Sequence, residues 1–160
     1  SDPRSAGALE VPGFSDWLYP LEGGLLFGVG KDADAQGRLQ GVKVALFDVR
    51  DAANPRVLDS QRFGSAGSTS ALDYSAHGLA QLSVGTRTRL ALPVMAQGAD
   101  LALPGVLLQR FEVDTVARSL ALKPAIELGA GWMDLATART LLQGELVHQL
   151  TDGKLRTWAW

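Results

Sequence analysis

Apolar residues along this chain come in runs of four to eight, often at alternate positions, broken by clusters of Gly, Pro, Asn and Asp. That is the period of β-strands rather than helices. Val42 to Val49 shows it most cleanly: Val42, Val44, Leu46 and Asp48 face one way, and Lys43, Ala45, Phe47 and Val49 the other. Leu90 to Val94 is apolar on both faces, which predicts an inner strand, although Pro93 withdraws one ladder donor. Val106–Val113 resembles Val42–Val49, and Leu155–Trp160 closes the chain with Trp158 and Trp160 two residues apart. Turn signals separate the runs. Glu22-Gly23-Gly24 and Asp152-Gly153 predict tight hairpins, the second of type I′, and Asn54-Pro55 starts a turn. Met133–Leu142 also has helical spacing. We read a strand at Arg139–Leu142 instead, because Gln143-Gly144-Glu145 then makes a further hairpin.

Twelve strands result, near residues 6–11, 17–21, 25–29, 42–49, 56–62, 78–83, 89–95, 106–113, 120–127, 139–142, 146–150 and 155–160. The chain also repeats itself. Asp2-Pro3-Arg4 followed by Gly13 recurs as Asn54-Pro55-Arg56 followed by Gly64. Leu46-Phe47-Asp48-Val49 recurs as Arg110-Phe111-Glu112-Val113, and Gly13 with Trp17 has an echo in Gly129 with Trp132. Four strands in roughly 45–55 residues is the period of a propeller blade. The expected fold is therefore all-β, a β-propeller fragment of about three four-stranded blades, with a β-sandwich as the alternative. The blades fall at 12–63, 64–128 and 129–160, the last completed by 6–11. Three blades are fewer than the four to eight that close a ring, so two flat flanks need covering by remaining propeller blades or by a second copy.

The 160 residues make one domain, large enough to bury a core without metal or disulfide; there is no cysteine. A net charge of −2 lacks the basic footprint of a nucleic-acid platform. No apolar run approaches the roughly 20 residues of a bilayer span. Ser1-Asp2-Pro3-Arg4 carries neither an initiator Met nor an apolar signal core, which predicts a piece of a longer chain.

Two stretches carry a family resemblance. One runs Pro12-Gly13-Phe14-Ser15-Asp16-Trp17-Leu18-Tyr19-Pro20-Leu21, then Gly23-Gly24-Leu25-Leu26 and Gly28-Val29-Gly30-Lys31-Asp32. The other runs from Gly37 through Gly41-Val42-Lys43-Val44 and Leu46-Phe47-Asp48-Val49 to Ala53-Asn54-Pro55. Together they resemble the bacterial and archaeal secreted proteins with a C-terminal β-propeller domain distantly related to WD40 repeats. The resemblance is dense over residues 9–64 and thinner beyond. It implies a secreted or cell-envelope location and no particular chemistry.

Candidate chemistry is sparse. Asp32-Ala33-Asp34-Ala35-Gln36-Gly37 begins like a calcium loop, with Asp32, Asp34 and Gln36 as the oxygen donors, but Lys43 stands where the bidentate Glu belongs. The plainer reading is a solvated connection between strands. No cofactor other than calcium is suggested. His77 and His148 lack clustered partners for a metal, and Ser70, Asp73 and His77 lack a nucleophile-elbow context. Gly28-Val29-Gly30 reads as a strand end, and the four tryptophans as packing between blades. In a propeller the long connections open on one face, here Phe14–Trp17 with Asp32–Gly41, Ser65–His77 with Ala96–Gly105, and Gly129–Met133 with Asp152–Gly153 if the phase slips. The binding candidates on that face are Ser15, Asp16, Trp17, Asp32, Asp34 and Arg38. The expected function is a non-catalytic binding or scaffold module recognising a protein or glycan. The alternatives are part of an enzyme whose catalytic groups lie elsewhere, or a purely structural domain.

Overall fold

The computed structural model describes residues 2–98 and 103–160. Three antiparallel sheets follow one another along the chain. The first is a meander of β1 (Phe14–Leu21), β2 (Leu25–Ala33), β3 (Leu39–Asp48) and β4 (Arg56–Phe63). The second contains β5 (Thr69–Ser70), β6 (Ala80–Val84), β7 (Arg87–Ala96), β8 (Gly105–Asp114) and β9 (Ser119–Ala130). The third has β10 (Arg139–Gln143), β11 (Leu146–Thr151) and β12 (Lys154–Ala159).

β5 and β6 act as one interrupted strand. Both pair with the same edge of β7, β5 at Val94 and Met95, β6 from Ala91 to Arg87. Between them the chain leaves the sheet through a short 3-10 helix at Ala71–Asp73. Pro93 falls in that interruption, where the ladder on this edge has no partner for it. A central strand thus accommodates a residue without an N–H. The two-residue β5 and the helix were not anticipated from the sequence; a pair this short carries no periodicity.

One expected strand is absent. Residues 6–11 form no strand and do not join β12. Gly7 runs instead so close to the Ala52 and Ala53 carbonyls that a Cβ would overlap them. Each sheet therefore begins with its own first strand, at Phe14, Thr69 and Arg139. Among the described residues the third sheet has three strands, and the outer edge of β12 is unpaired. Gly28 and Gly30 lie inside β2 rather than at its end. They are glycines because β1 crosses at close range: a Cβ on Gly30 would sit 2.1 Å from the Phe14 carbonyl oxygen. Asp152 and Gly153 have φ of 50° and 70°, as the expected I′ hairpin requires.

The second sheet is buried on both faces. Leu90, Leu92, Val94, Phe111 and Val113 join Leu25, Phe27, Val29, Val42, Val44 and Leu46 of the first sheet in one cluster. Ala91, Met95, Val106 and Leu108, on its opposite face, pack with Leu142 and Val147 of the third. Phe111 is the centre of the first contact, with ring centroids 5.5 Å from Phe27 and 5.7 Å from Phe63. Phe111→Ala is expected to cost about 3–5 kcal/mol through the lost burial and the void left behind. Denaturant unfolding by tryptophan fluorescence measures it. A loss below about 1 kcal/mol would show that the first two sheets are not held by this contact.

Candidate functional site

Successive hairpins alternate between two ends of the sheets, and hydrogen bonds tie the connections at each end together. At one end Ser65 N–H and Oγ both donate to the Gln97 carbonyl at 2.8 Å, Gln97 N–H donates to Ser68 Oγ, and Gly131 N–H donates to the Pro104 carbonyl. This end gathers residues 34–38, 64–68, 97–98, 103–104, 131–138 and 152–153; residues 99–102 of the expected Ala96–Gly105 connection lie outside the described residues. At the other end are the short turns at 22–24, 85–86 and 144–145, with 49–55 and 115–118. The Asp152–Gly153 turn reaches the long-connection end with no slip of phase, because the third sheet starts at β10.

The sequence-derived site residues divide. Ser15 and Asp32 line one groove on the outer face of the first sheet, about 440 Å³ in volume, with Phe14, Ala45, Phe47 and Val57. Asp16 is the extra residue of a bulge, since Ser15 pairs with Gly30 and Trp17 with Val29. Trp17 packs against the core and donates its indole N–H to the Leu72 carbonyl at 3.1 Å, joining first sheet to second. It does not form part of the long-connection surface. Asp34 and Arg38 do, within the β2–β3 turn.

That turn is closed by its own residues. Asp34 Oδ1 accepts from Gln36 N–H and Arg38 N–H, and Oδ2 from Arg38 Nε and Gln40 Nε2. The Arg38 backbone N–H, ahead of the remaining donors, holds the Asp34 carboxyl below its usual range. Asp32 faces Lys43 at 3.6 Å and Arg62 at 3.4 Å. Among the described residues no three His, Asp or Glu side chains are placed to hold a metal. Calcium at millimolar concentration and a chelator are therefore expected to give the same Tm; a rise with calcium would make Asp32, Asp34 and Gln36 ligands.

Ser70 and Asp73 serve the interrupted strand. Asp73 accepts from Ser70 N–H and pairs with Lys31, whose ammonium also donates to the Ser68 carbonyl. The tryptophans separate as well. Trp158 packs between the second and third sheets, and Trp160 lies under the Arg89 and Arg110 guanidinium groups, at 5.3 and 5.5 Å. Trp132 departs from the packing expectation: it is 78% exposed on the β9–β10 connection. Gly129 and Gly131, both just ahead of it, have positive φ, which lifts the chain off the strand there. The Gly-Ala-Gly-Trp run was the signal available in the sequence for this.

Two buried carboxylates bind the sheets laterally. Asp48, on β3, faces Arg50, Arg56 and, from the second sheet, Arg118 at 2.7 Å. Arg118 also donates to the Gly23 carbonyl. Glu112, at the matching place on β8, faces Arg87, Arg89 and Lys123, and Arg89 reaches Gly144 and Glu145 of the third sheet. The Arg50 side chain holds the Asp48 carboxyl far below its usual range against the opposing effect of burial, with Arg50 N–H, Arg56 and Arg118 assisting. Burial pushes the Glu112 carboxyl up, but Lys123 and Arg87 outweigh it and the net direction is down. A depressed folded-state value stabilises above the unfolded-state value, near 4, and is lost as pH falls through the folded one. Asp48→Asn is thus expected to lower Tm at neutral pH. The difference from the unsubstituted chain should shrink as pH drops below about 4. A gap independent of pH would remove the ionic contribution.

Comparison with known proteins agrees with this architecture. The family model described as a β-propeller domain matches residues 1–157, and the chain belongs to that family. Its three sheets are propeller blades. The chain is 33% identical over 75 residues to the uncharacterized protein MJ1554 of Methanocaldococcus jannaschii, covering 47% of the chain and 11% of that protein. It is 34% identical over 55 residues to an uncharacterized protein of Archaeoglobus fulgidus, covering 34% of the chain and 8% of that protein. The matched region is thus a small part of the length of either relative. No solved structure matches. Among the described residues no helix is long and apolar enough to cross a membrane.

Proposed function

We propose that this chain is a non-catalytic binding or scaffold module of an exported or cell-envelope protein, engaging a protein or glycan through its long-connection face. The observation that carries the reading is the exposed indole of Trp132 on that face. Exposed indoles suit sugar faces and apolar side chains alike, and loops held on a rigid scaffold are where binding is commonly built. Arg38, whose side chain is 74% exposed while its Nε is anchored on Asp34, supplies a directed cation at the same end. The relatives are far longer than their matched regions, which supports a module within a larger protein. The two uncovered end faces then meet further blades or a second copy.

A glycan array and a displayed peptide library, both probed with the purified chain, test the reading. Trp132→Ala should weaken the selected ligand at least about tenfold at unchanged Tm, as expected for a central aromatic contact. Absence of any ligand on both arrays, or a ligand indifferent to Trp132→Ala and Arg38→Ala, would overturn it.

A further inference from the structure

We propose that the hollow in the β3–β4 turn is a binding site for a tetrahedral oxyanion, a phosphate or sulfate group. It lies at the short-turn end of the sheets and depends neither on Trp132 nor on any ligand of the long connections.

Asp48, Arg50, Asp51, Asn54, Pro55 and Arg56 enclose an open space of about 580 Å³. Its shape is set from within the turn. Asp51 Oδ1 accepts from Ala53 N–H and Oδ2 from Asn54 Nδ2, and Asn54 N–H donates to the Asp51 carbonyl. The Arg50 stem lies across the β1–β2 turn, where a Cβ on Gly24 would sit 2.5 Å from its Cγ. Arg50 and Arg56 both turn toward Asp48, with Nε and Nη2 of each within 3.4 Å of its carboxylate oxygens. Among the described residues their Nη1 groups make no hydrogen bond, and the two side chains are 54 and 66% exposed. Two guanidinium forks therefore keep donors to offer on one hollow. Two forks can use more than the two oxygens of a carboxylate; a phosphate or sulfate ester brings three.

The charge at this place is not balanced within the fold. Arg50, Arg56 and Arg118 meet on Asp48, and none of them forms an ion pair with Asp51, the other carboxylate of the hollow. One positive charge is left over. The cluster at the matching place on β8 has no such excess. There Arg87, Arg89 and Lys123 meet Glu112, but Arg87 also faces Asp114 at 4.0 Å and Arg89 faces Glu145 at 2.9 Å. Of the three arginines on Asp48, Arg118 alone comes from the second sheet, so the link between the sheets here runs through Arg118 and not through Arg50 or Arg56. The cationic surroundings show in Asp48 itself, whose carboxyl the Arg50 side chain keeps far below its usual range.

Titration calorimetry of the 160-residue chain at neutral pH and constant ionic strength tests the site, with sodium phosphate, sodium sulfate and sodium acetate as separate arms. Phosphate, sulfate or both should bind saturably, and which of them binds tells a phosphate-bearing from a sulfate-bearing ligand. Acetate should bind at least about tenfold more weakly, since it leaves one fork unpaired. Arg50→Gln and Arg56→Gln should each weaken the bound anion about tenfold or more through the lost charge-assisted bonds. Arg62→Gln removes the same charge one strand-length away, at the far end of β4, and should leave the affinity unchanged. Thermal melts by circular dichroism establish that each variant is folded; should Arg50→Gln fail to fold, Arg56→Gln decides, its side chain being the more exposed of the two. The proposal is overturned if neither tetrahedral anion binds, or if acetate binds as tightly. It is equally overturned if Arg50→Gln and Arg56→Gln bind as the unsubstituted chain does, or if Arg62→Gln loses as much as they do.

Discussion

The double-sided burial of the second sheet is the constraint on which the rest of the molecule depends. A sheet with one solvated face can stand alone; a sheet apolar on both faces needs a neighbour on each side. Leu90 and Ala91 are adjacent in sequence and both fully buried, the one against the first sheet and the other against the third. Fully burying a large aliphatic side chain is worth roughly 1.5–3 kcal/mol, and β7 and β8 alone contribute such residues to two separate clusters. The place of the second sheet between the other two follows from that demand.

Apolar packing is weakly directional, and the charged clamps supply the direction. Asp48 and Glu112 occupy matching positions on third strands, and each is nearly excluded from solvent. An unpaired carboxylate there would be costly. Each instead gathers three cations, and each set includes an arginine that reaches across a sheet boundary: Arg118 from the second sheet to Gly23 and Asp48, Arg89 from the second to Gly144. Both acceptor carbonyls lie in hairpins between a first and a second strand. Arg118 holds a positive φ of 58°, a conformation unusual for a residue with a Cβ. The local strain is accepted where the side chain fastens one blade to the next.

Strands with strong alternation were legible in the sequence. Val42–Val49 and Val106–Val113 fall on β3 and β8 because burial on defined faces leaves a periodic trace, and Arg89–Met95 falls within β7 because burial on both faces leaves an apolar run. The failures have physical causes. Residues 6–11 have the composition of a strand but find no open ladder; their place is against the Ala52–Ala53 carbonyls, a tertiary contact that periodicity cannot encode. The Asp32–Gly37 letters do not show the side-chain partners of the two aspartates, which are Arg38, Gln40, Lys43 and Arg62, spread over three segments. Trp17 and Trp132 each follow a glycine, Gly13 and Gly129, by three or four residues and differ wholly in surroundings. One follows a bulge that returns it to the ladder, and the other sits in a connection with no ladder to return to.

The two ends of the sheets divide the labour that results. Interblade arginines converge on the end with the short turns, where Gly23, Gly144 and the 49–55 and 115–118 segments are stitched together. The opposite end is held by backbone contacts through Ser65, Gln97 and Gly131, and it carries the most exposed indole among the described residues. Fastening the blades at one end leaves residues at the other free of a structural task. A side chain such as Trp132, 78% exposed and without a hydrogen bond among the described residues, can change without loosening the stack. Surface variation at that end is therefore compatible with an unchanged core, which is the physical condition for one scaffold to serve different ligands.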